Sequence, residues 1–194
     1  MLACGDPKLC APLMRNTTRW FPMRVTYNRE MKVKAELDRL DIENFIPMQY
    51  KIVDTREGRK RMLQPAIHNL IFVHATQNQL TTLKQTRKAL EPLRYMRRTN
   101  TANRLGEIIW VSDRQMENFM LVARKEDDSI IYLDYDQLAG KEGRRVTIIE
   151  GPFAGVEGTI ERIQRNRRVV VKLEGVAAVA ITFVPPRFLM DAEQ

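Results

Sequence analysis

Three glycines and a proline fall within eight residues at Gly151-Pro152-Phe153-Ala154-Gly155-Val156-Glu157-Gly158, and β-branched runs flank them on both sides. Gly151-Pro152 encodes a tight turn, while Gly155 and Gly158 permit backbone positions closed to other residues. Val146-Thr147-Ile148-Ile149 precedes the string, and Thr159–Ile163, Val169–Leu173 and Val179–Phe183 follow it. No helical period intervenes, so these are strands separated by Gly, Asn or Arg turns. Val169, Val171 and Leu173 share one strand face, as do Val179, Ile181 and Phe183. A small antiparallel barrel over residues 144–191 is expected to bury both sets.

Upstream the pattern changes. Trp20-Phe21-Pro22-Met23-Arg24-Val25 suits a strand, and Pro22, which cannot donate to a ladder, predicts an edge position. Asn28 is placed to cap a helix, with Glu30 at the positive end of its dipole and Val33, Leu37 and Leu40 as its apolar stripe. Phe45-Ile46-Pro47 and Lys51-Ile52-Val53 predict short extended pieces, and the basic stretch Arg56 to Arg61, centred on Gly58, a hairpin tip. Leu70-Ile71-Phe72-Val73 is continuously apolar, as a strand covered on both faces must be, and predicts the middle of a sheet. A second helix is expected from about Gln79 to Ala89, with Leu80 and Leu83 inward. A third opens on the capping box Ser112-Asp113-Arg114-Gln115 and carries the stripe Met116, Phe119, Met120 and Ala123. Leu93–Met96 and Ile108–Val111 read as strands between them. The chain therefore divides into a tail over 1–18, expected to be disordered, an α+β domain over 19–124, a linker over 125–143 and the barrel.

Most chemistry is excluded by what the residues lack. His68 and His74 are the only histidines and find no further ligands nearby for a four-coordinate metal. The acids Asp127-Asp128 and Asp134 with Asp136 fall in the expected linker, where carboxylates meet water. Ser112 reads as a helix cap, and no glycine-rich phosphate loop precedes a helix. No enzyme activity, metal or cofactor is expected. Cys4 and Cys10 both lie in the first ten residues and can staple no core, which suits a reducing cytoplasm. No secretory pattern or membrane span is legible. The formal charge of +8 favours encounter with polyanions, and Arg56 to Arg61, Arg87-Lys88, Arg97-Arg98 and Arg165 to Arg168 are the clusters that can meet phosphates.

The string from Glu150 to Ile160 resembles the KOW motif of SH3-like barrels, with Gly151, Pro152, Phe153, Gly155 and Gly158 as its marker positions. KOW barrels occur in ribosomal proteins as well as in transcription factors. Trp20–Val25, Arg29–Lys34, Phe45-Ile46-Pro47, His68–Val73 and Val111–Met116 resemble, in order and spacing, the amino-terminal (NGN) domain of the NusG/Spt5 superfamily of elongation factors. The segment 125–143 and the wording around Val25-Thr26-Tyr27 resemble the UpxY branch of specialised NusG paralogues, associated with antitermination in operons for surface polysaccharides.

That resemblance implies an NGN sandwich, an antiparallel-rich sheet with flanking helices, followed by a KOW barrel in a monomer. It implies an apolar concavity docking on the β′ clamp helices of RNA polymerase and reaching the β subunit, so that a closed cleft is favoured and pausing and termination fall. By motif position, Arg24, His68, Asn69, Leu70 and Tyr95 are the clamp-facing candidates, although Leu70 can equally be core, and Thr81 and Thr82 are the candidates toward the β subunit. Lys32, Arg87, Lys88 and Arg97 are candidates for non-template DNA or nascent RNA, with solvated charge as the alternative. Housekeeping members use an aromatic-bearing loop of the barrel for a ribosomal protein or Rho. Here that loop is Leu173-Glu174-Gly175-Val176-Ala177, without the aromatic, which counts against both partners. The alternative reading is a ribosome-associated KOW protein that binds RNA.

Overall fold

Why Leu70–Ala75 carries no polar residue before His74 is plain from its position: it forms β5, an inner strand of a four-stranded antiparallel sheet, and Leu70, Ile71, Phe72 and Val73 are all buried. The computed structural model describes residues 16–56, 58–100, 103–125, 130–134 and 143–192. The expected tail, with both cysteines, thus lies mostly outside the described residues, as do 126–129 and 135–142 of the expected linker. The chain groups into two units, one of residues up to Ile46 with His68–Ser112, the other of Pro47–Ile67 with the chain from Asp113 onward.

In the first unit the sheet order is β2 (Asn44–Phe45), β5, β1 (Arg19–Val25), β6 (Leu93–Tyr95). Contrary to the expectation from Pro22, β1 is an inner strand. The Val25 amide reaches the Asn69 carbonyl beside β5, so by alternation the Pro22 nitrogen points to the β6 side, where pairing starts only at Met23. Proline sits on a locally unpaired edge of an inner strand.

Helix α1 (Glu30–Arg39) buries Val33 and Leu37, but its N-cap residue is Arg29, without a side-chain cap bond. Asn28 is instead in a left-handed conformation (φ 50°) and donates its amide to Asn69 Oδ1 at 3.1 Å. Helix α2 (Gln77–Thr86) starts before the expected Gln79 because Thr76 caps it, accepting from the Gln79 amide at 3.2 Å. Arg97–Asn100 and Asn103–Ile108 form a hairpin, β7 and β8, that ends before most of the expected strand Ile108–Val111; Val111 makes only a bridge to Trp20.

In the second unit Met48–Thr55 and Gly58–Pro65 form a long two-stranded ribbon, β3 and β4, whose turn falls in the expected basic tip. Ile52 is 74% exposed on it, and Arg61 stacks 4.5 Å over Tyr50. The remaining strands build one six-stranded antiparallel sheet in the order β14 (Leu189–Asp191), β10 (Arg144–Ile148), β11 (Glu157–Ile163), β12 (Asn166–Leu173), β13 (Ala177–Ile181), β9 (Ile130–Asp134). Two expectations change here. Part of the expected linker is β9, paired along its length with β13. And β13 ends at Ile181, so Phe183 lies beyond the ladder and is 73% exposed instead of joining Val179 and Ile181 in the core.

Helix α3 (Asp113–Ala123) packs on β12 and β13 within this unit and buries Met116, Phe119, Met120 and Ala123, the expected stripe, together with Val122. Ala178 and Ala180 on β13 are buried in a cluster with Leu133, Ile163 and Val170. No helix among the described residues is long and apolar enough to cross a membrane.

Candidate functional site

The left-handed backbone at Asn69 (φ 60°), tolerated by asparagine better than by bulkier residues, organises the start of β5. Its carbonyl accepts from Val25, its side chain accepts from Asn28, and its own amide donates to Glu30 Oε1 at 3.2 Å. Glu30 is 3% exposed, and its other oxygen has no partner among the described residues. Asn69 is thus a pin joining β1, α1 and β5. His68, beside it, is exposed.

Register decides which candidates share a surface. Arg24 pairs with Leu70 on one side and with Arg94 on the other, so the three lie on one face of the sheet. Leu70 is 3% exposed and offers a partner no area, the core alternative of the sequence reading. Arg24 and Arg94 are exposed, and among the described residues neither has a carboxylate partner; Arg94 instead caps the carbonyls of Glu91 and Leu93. Two like charges in direct register lose stability unless something anionic meets them.

Tyr95 pairs with Met23, one residue out of phase with Arg24, and so lies on the opposite face. Its ring meets Phe21 edge-on at 5.9 Å, and its hydroxyl bonds Thr81 Oγ1 at 3.0 Å and donates to the Gln77 carbonyl at 3.2 Å. Thr81 is occupied by that contact and by the Gln77 carbonyl, whereas Thr82 is exposed. Lys84 lies 4.6 Å over the Tyr95 ring. Burial, then Arg94 and Arg97, pull the Lys84 ammonium below the ordinary lysine range. Burial pushes the Tyr95 phenol up, against the lowering influence of Thr81 and Arg97.

Lys84 and Arg94 were not singled out from sequence, although Lys84 follows Thr81 by one helical step and Arg94 precedes Tyr95. Of the nucleic-acid candidates, Lys32 on α1 and Lys88 are exposed, as is Arg87, which lies close enough to Glu36 to help lower its carboxyl, after the larger effects of Arg39. Arg97 donates to the Gly106 carbonyl at 3.0 Å.

The glycine string forms the turn from β10 to β11. Gly155 has φ 89° and donates to the Ile148 carbonyl at 2.7 Å, while Ile148 donates to Val156 at 2.9 Å. Phe153 is buried beneath the turn and Gly151 and Pro152 are exposed. A Cβ on Gly158 would lie 2.8 Å from the Val170 carbonyl oxygen, so only glycine fits where β11 begins to pair with β12.

Residues 18–120 match the family model described as transcription termination factor nusG, and residues 142–172 match that of the KOW motif. No curated protein matches the chain. A solved structure described as domain interaction in Thermotoga maritima NusG is 17% identical over 91% of this chain and 98% of that one, with a TM-score of 0.43.

Proposed function

This chain belongs to the NusG family of transcription factors, and from that premise we propose that it binds RNA polymerase during elongation and suppresses pausing and termination. The observation that carries the reading is the pair Arg24 and Arg94, exposed in direct register and, among the described residues, without a carboxylate partner. Such a pair suits an acidic surface such as a helical clamp, because complementary charge speeds encounter and fixes orientation. His68 and Arg24 are the residues we assign to the β′ clamp helices. Exposed Thr82 is assigned to the β subunit, while Thr81, tied to Tyr95, positions that ring. Asn69 acts through the turn it pins.

Binding only to the closed cleft shifts the polymerase toward it by the difference in contact energy, with no bond chemistry. The UpxY assignment adds that the targets are long operons for surface polysaccharides, transcribed in the cytoplasm, with Lys32, Arg87, Lys88 and Arg97 near non-template DNA or nascent RNA. Support for that finer reading is the wording of the sequence and the basic surface.

The test is retention of core polymerase by the full chain, with elongation timed on a pause-rich template. Arg24→Glu should weaken retention about tenfold, on the order of 1.4 kcal/mol, and restore pausing. Equal retention by the variant, or co-sedimentation with large ribosomal subunits in place of polymerase, would favour the ribosome-associated KOW alternative.

A further inference from the structure

The two apolar residues that the resemblance assigned to the docking surface do not serve it: Leu70 is 3% exposed, and Tyr95 lies on the opposite face of the sheet. What remains exposed there, Arg24, Arg94 and His68, is cationic or polar. Charge speeds encounter and sets orientation, but the binding energy of an interface rests on a few large side chains that lose water on contact, tyrosine prominent among them.

Tyr27 has the properties that surface lacks. It is 82% exposed, and its backbone is left-handed (φ 64°), a conformation that bulky residues rarely adopt. The chain cannot relax around it, because hydrogen bonds fix the residues on both sides. The Val25 amide donates to the Asn69 carbonyl at 2.9 Å, the Thr26 amide to the Pro92 carbonyl at 3.3 Å, and that of Asn28, itself left-handed, to Asn69 Oδ1 at 3.1 Å. Glu30 buries a carboxylate to accept from the Asn69 amide at 3.2 Å. A turn alone would be better served by glycine or asparagine at position 27, so the strain is kept for the ring it presents. Tyr27 and His68 each adjoin one partner of the Asn28–Asn69 bond, and the Arg29 guanidinium sits 5.5 Å over the tyrosine ring.

We infer that Tyr27 is the apolar anchor of the polymerase-docking surface, seated by the hydrogen bonds of Asn28, Asn69 and Glu30; this rests on the polymerase-binding reading above. Its partner is an acidic helical surface with an apolar patch that receives the ring.

The full chain and its variants are titrated against core RNA polymerase, and each is also melted in urea. Tyr27→Asn should weaken retention about tenfold, as loss of an interface anchor does. Its urea midpoint should rise, because asparagine tolerates a left-handed backbone better than tyrosine. Tyr27→Phe, which keeps the ring, should bind like the native chain. Were Tyr27 there only for the fold, Tyr27→Asn would lower midpoint and retention together, and that result overturns the assignment. Unchanged retention by Tyr27→Asn overturns it too, as does a loss in Tyr27→Phe equal to that in Tyr27→Asn. If Arg24→Glu weakens retention and Tyr27→Asn does not, the anchor alone fails. If the native chain is not retained, the polymerase reading fails and the anchor with it.

Discussion

Strands β5 and β12 are the centres of their two sheets and are both buried on both faces, yet they treat charge in opposite ways. In β5 the run Leu70 to Val73 is purely apolar, and the polar work is done just before it by Asn69. In β12 the valines Val169, Val170 and Val171 alternate into a strand that also carries buried Arg168 and half-buried Lys172. The lesson is that an apolar strand states where a core is, while β12 holds charge inside one, with Arg168 opposite the buried Glu161, whose Oε1 meets Lys172.

The comparison is sharpened most by emptying each centre in turn. Phe72→Ala should cost about 3–5 kcal/mol by urea denaturation, since a large buried ring is lost. Val170→Ala, which removes only two methyl groups, should cost less; equal costs would show that the two centres are not distinguished by how much they bury. Next comes Gly158→Ala, expected to cost about 1–3 kcal/mol through the clash with the Val170 carbonyl. Hydrogen exchange should show faster amides in β10 to β12 and unchanged ones in β1 and β5.

Asn69→Ala should cost about 1 kcal/mol, from a left-handed backbone and a lost acceptor for Asn28. Asn69→Gly should recover the backbone share only. If both variants match the native chain, the pin is not what secures β5 to α1.

The smallest effect is a pH slope. Lys84 has a lowered folded pKa, so between that value and the ordinary lysine value the unfolded chain binds more protons and stability rises with pH. Tyr95, raised by burial, gives the opposite slope above the ordinary tyrosine value, because there the folded chain holds the extra proton. Tyr95→Phe should remove only the fall and Lys84→Met only the rise, in urea melts taken across the alkaline range.

Sequence reading reached the elements that one local pattern specifies. The central strand at Leu70, the Ala123-bearing stripe of α3 and the turn at Gly155 are each written in consecutive residues, and the structure has them there. It failed where the partner is distant. Asn28 has the chemistry of a cap, but Asn69, remote in sequence, claims its amide. Pro22 argues for an edge, but whether a neighbour reaches that nitrogen depends on where β6 begins.

The candidate site divides the same way. The resemblance made Arg24 and Tyr95 candidates for one docking surface, with Tyr95 as apolar area. Only the register, which sets Arg24 opposite Arg94 and Tyr95 opposite Met23, put them on different faces of one sheet. A strand's side chains alternate, so a shift of one residue in pairing exchanges the faces, and pairing between remote strands is decided by the whole fold. The chain's own composition determined a mixed domain and a glycine-turned barrel; tertiary structure decided which of its arginines were left without a counter-charge.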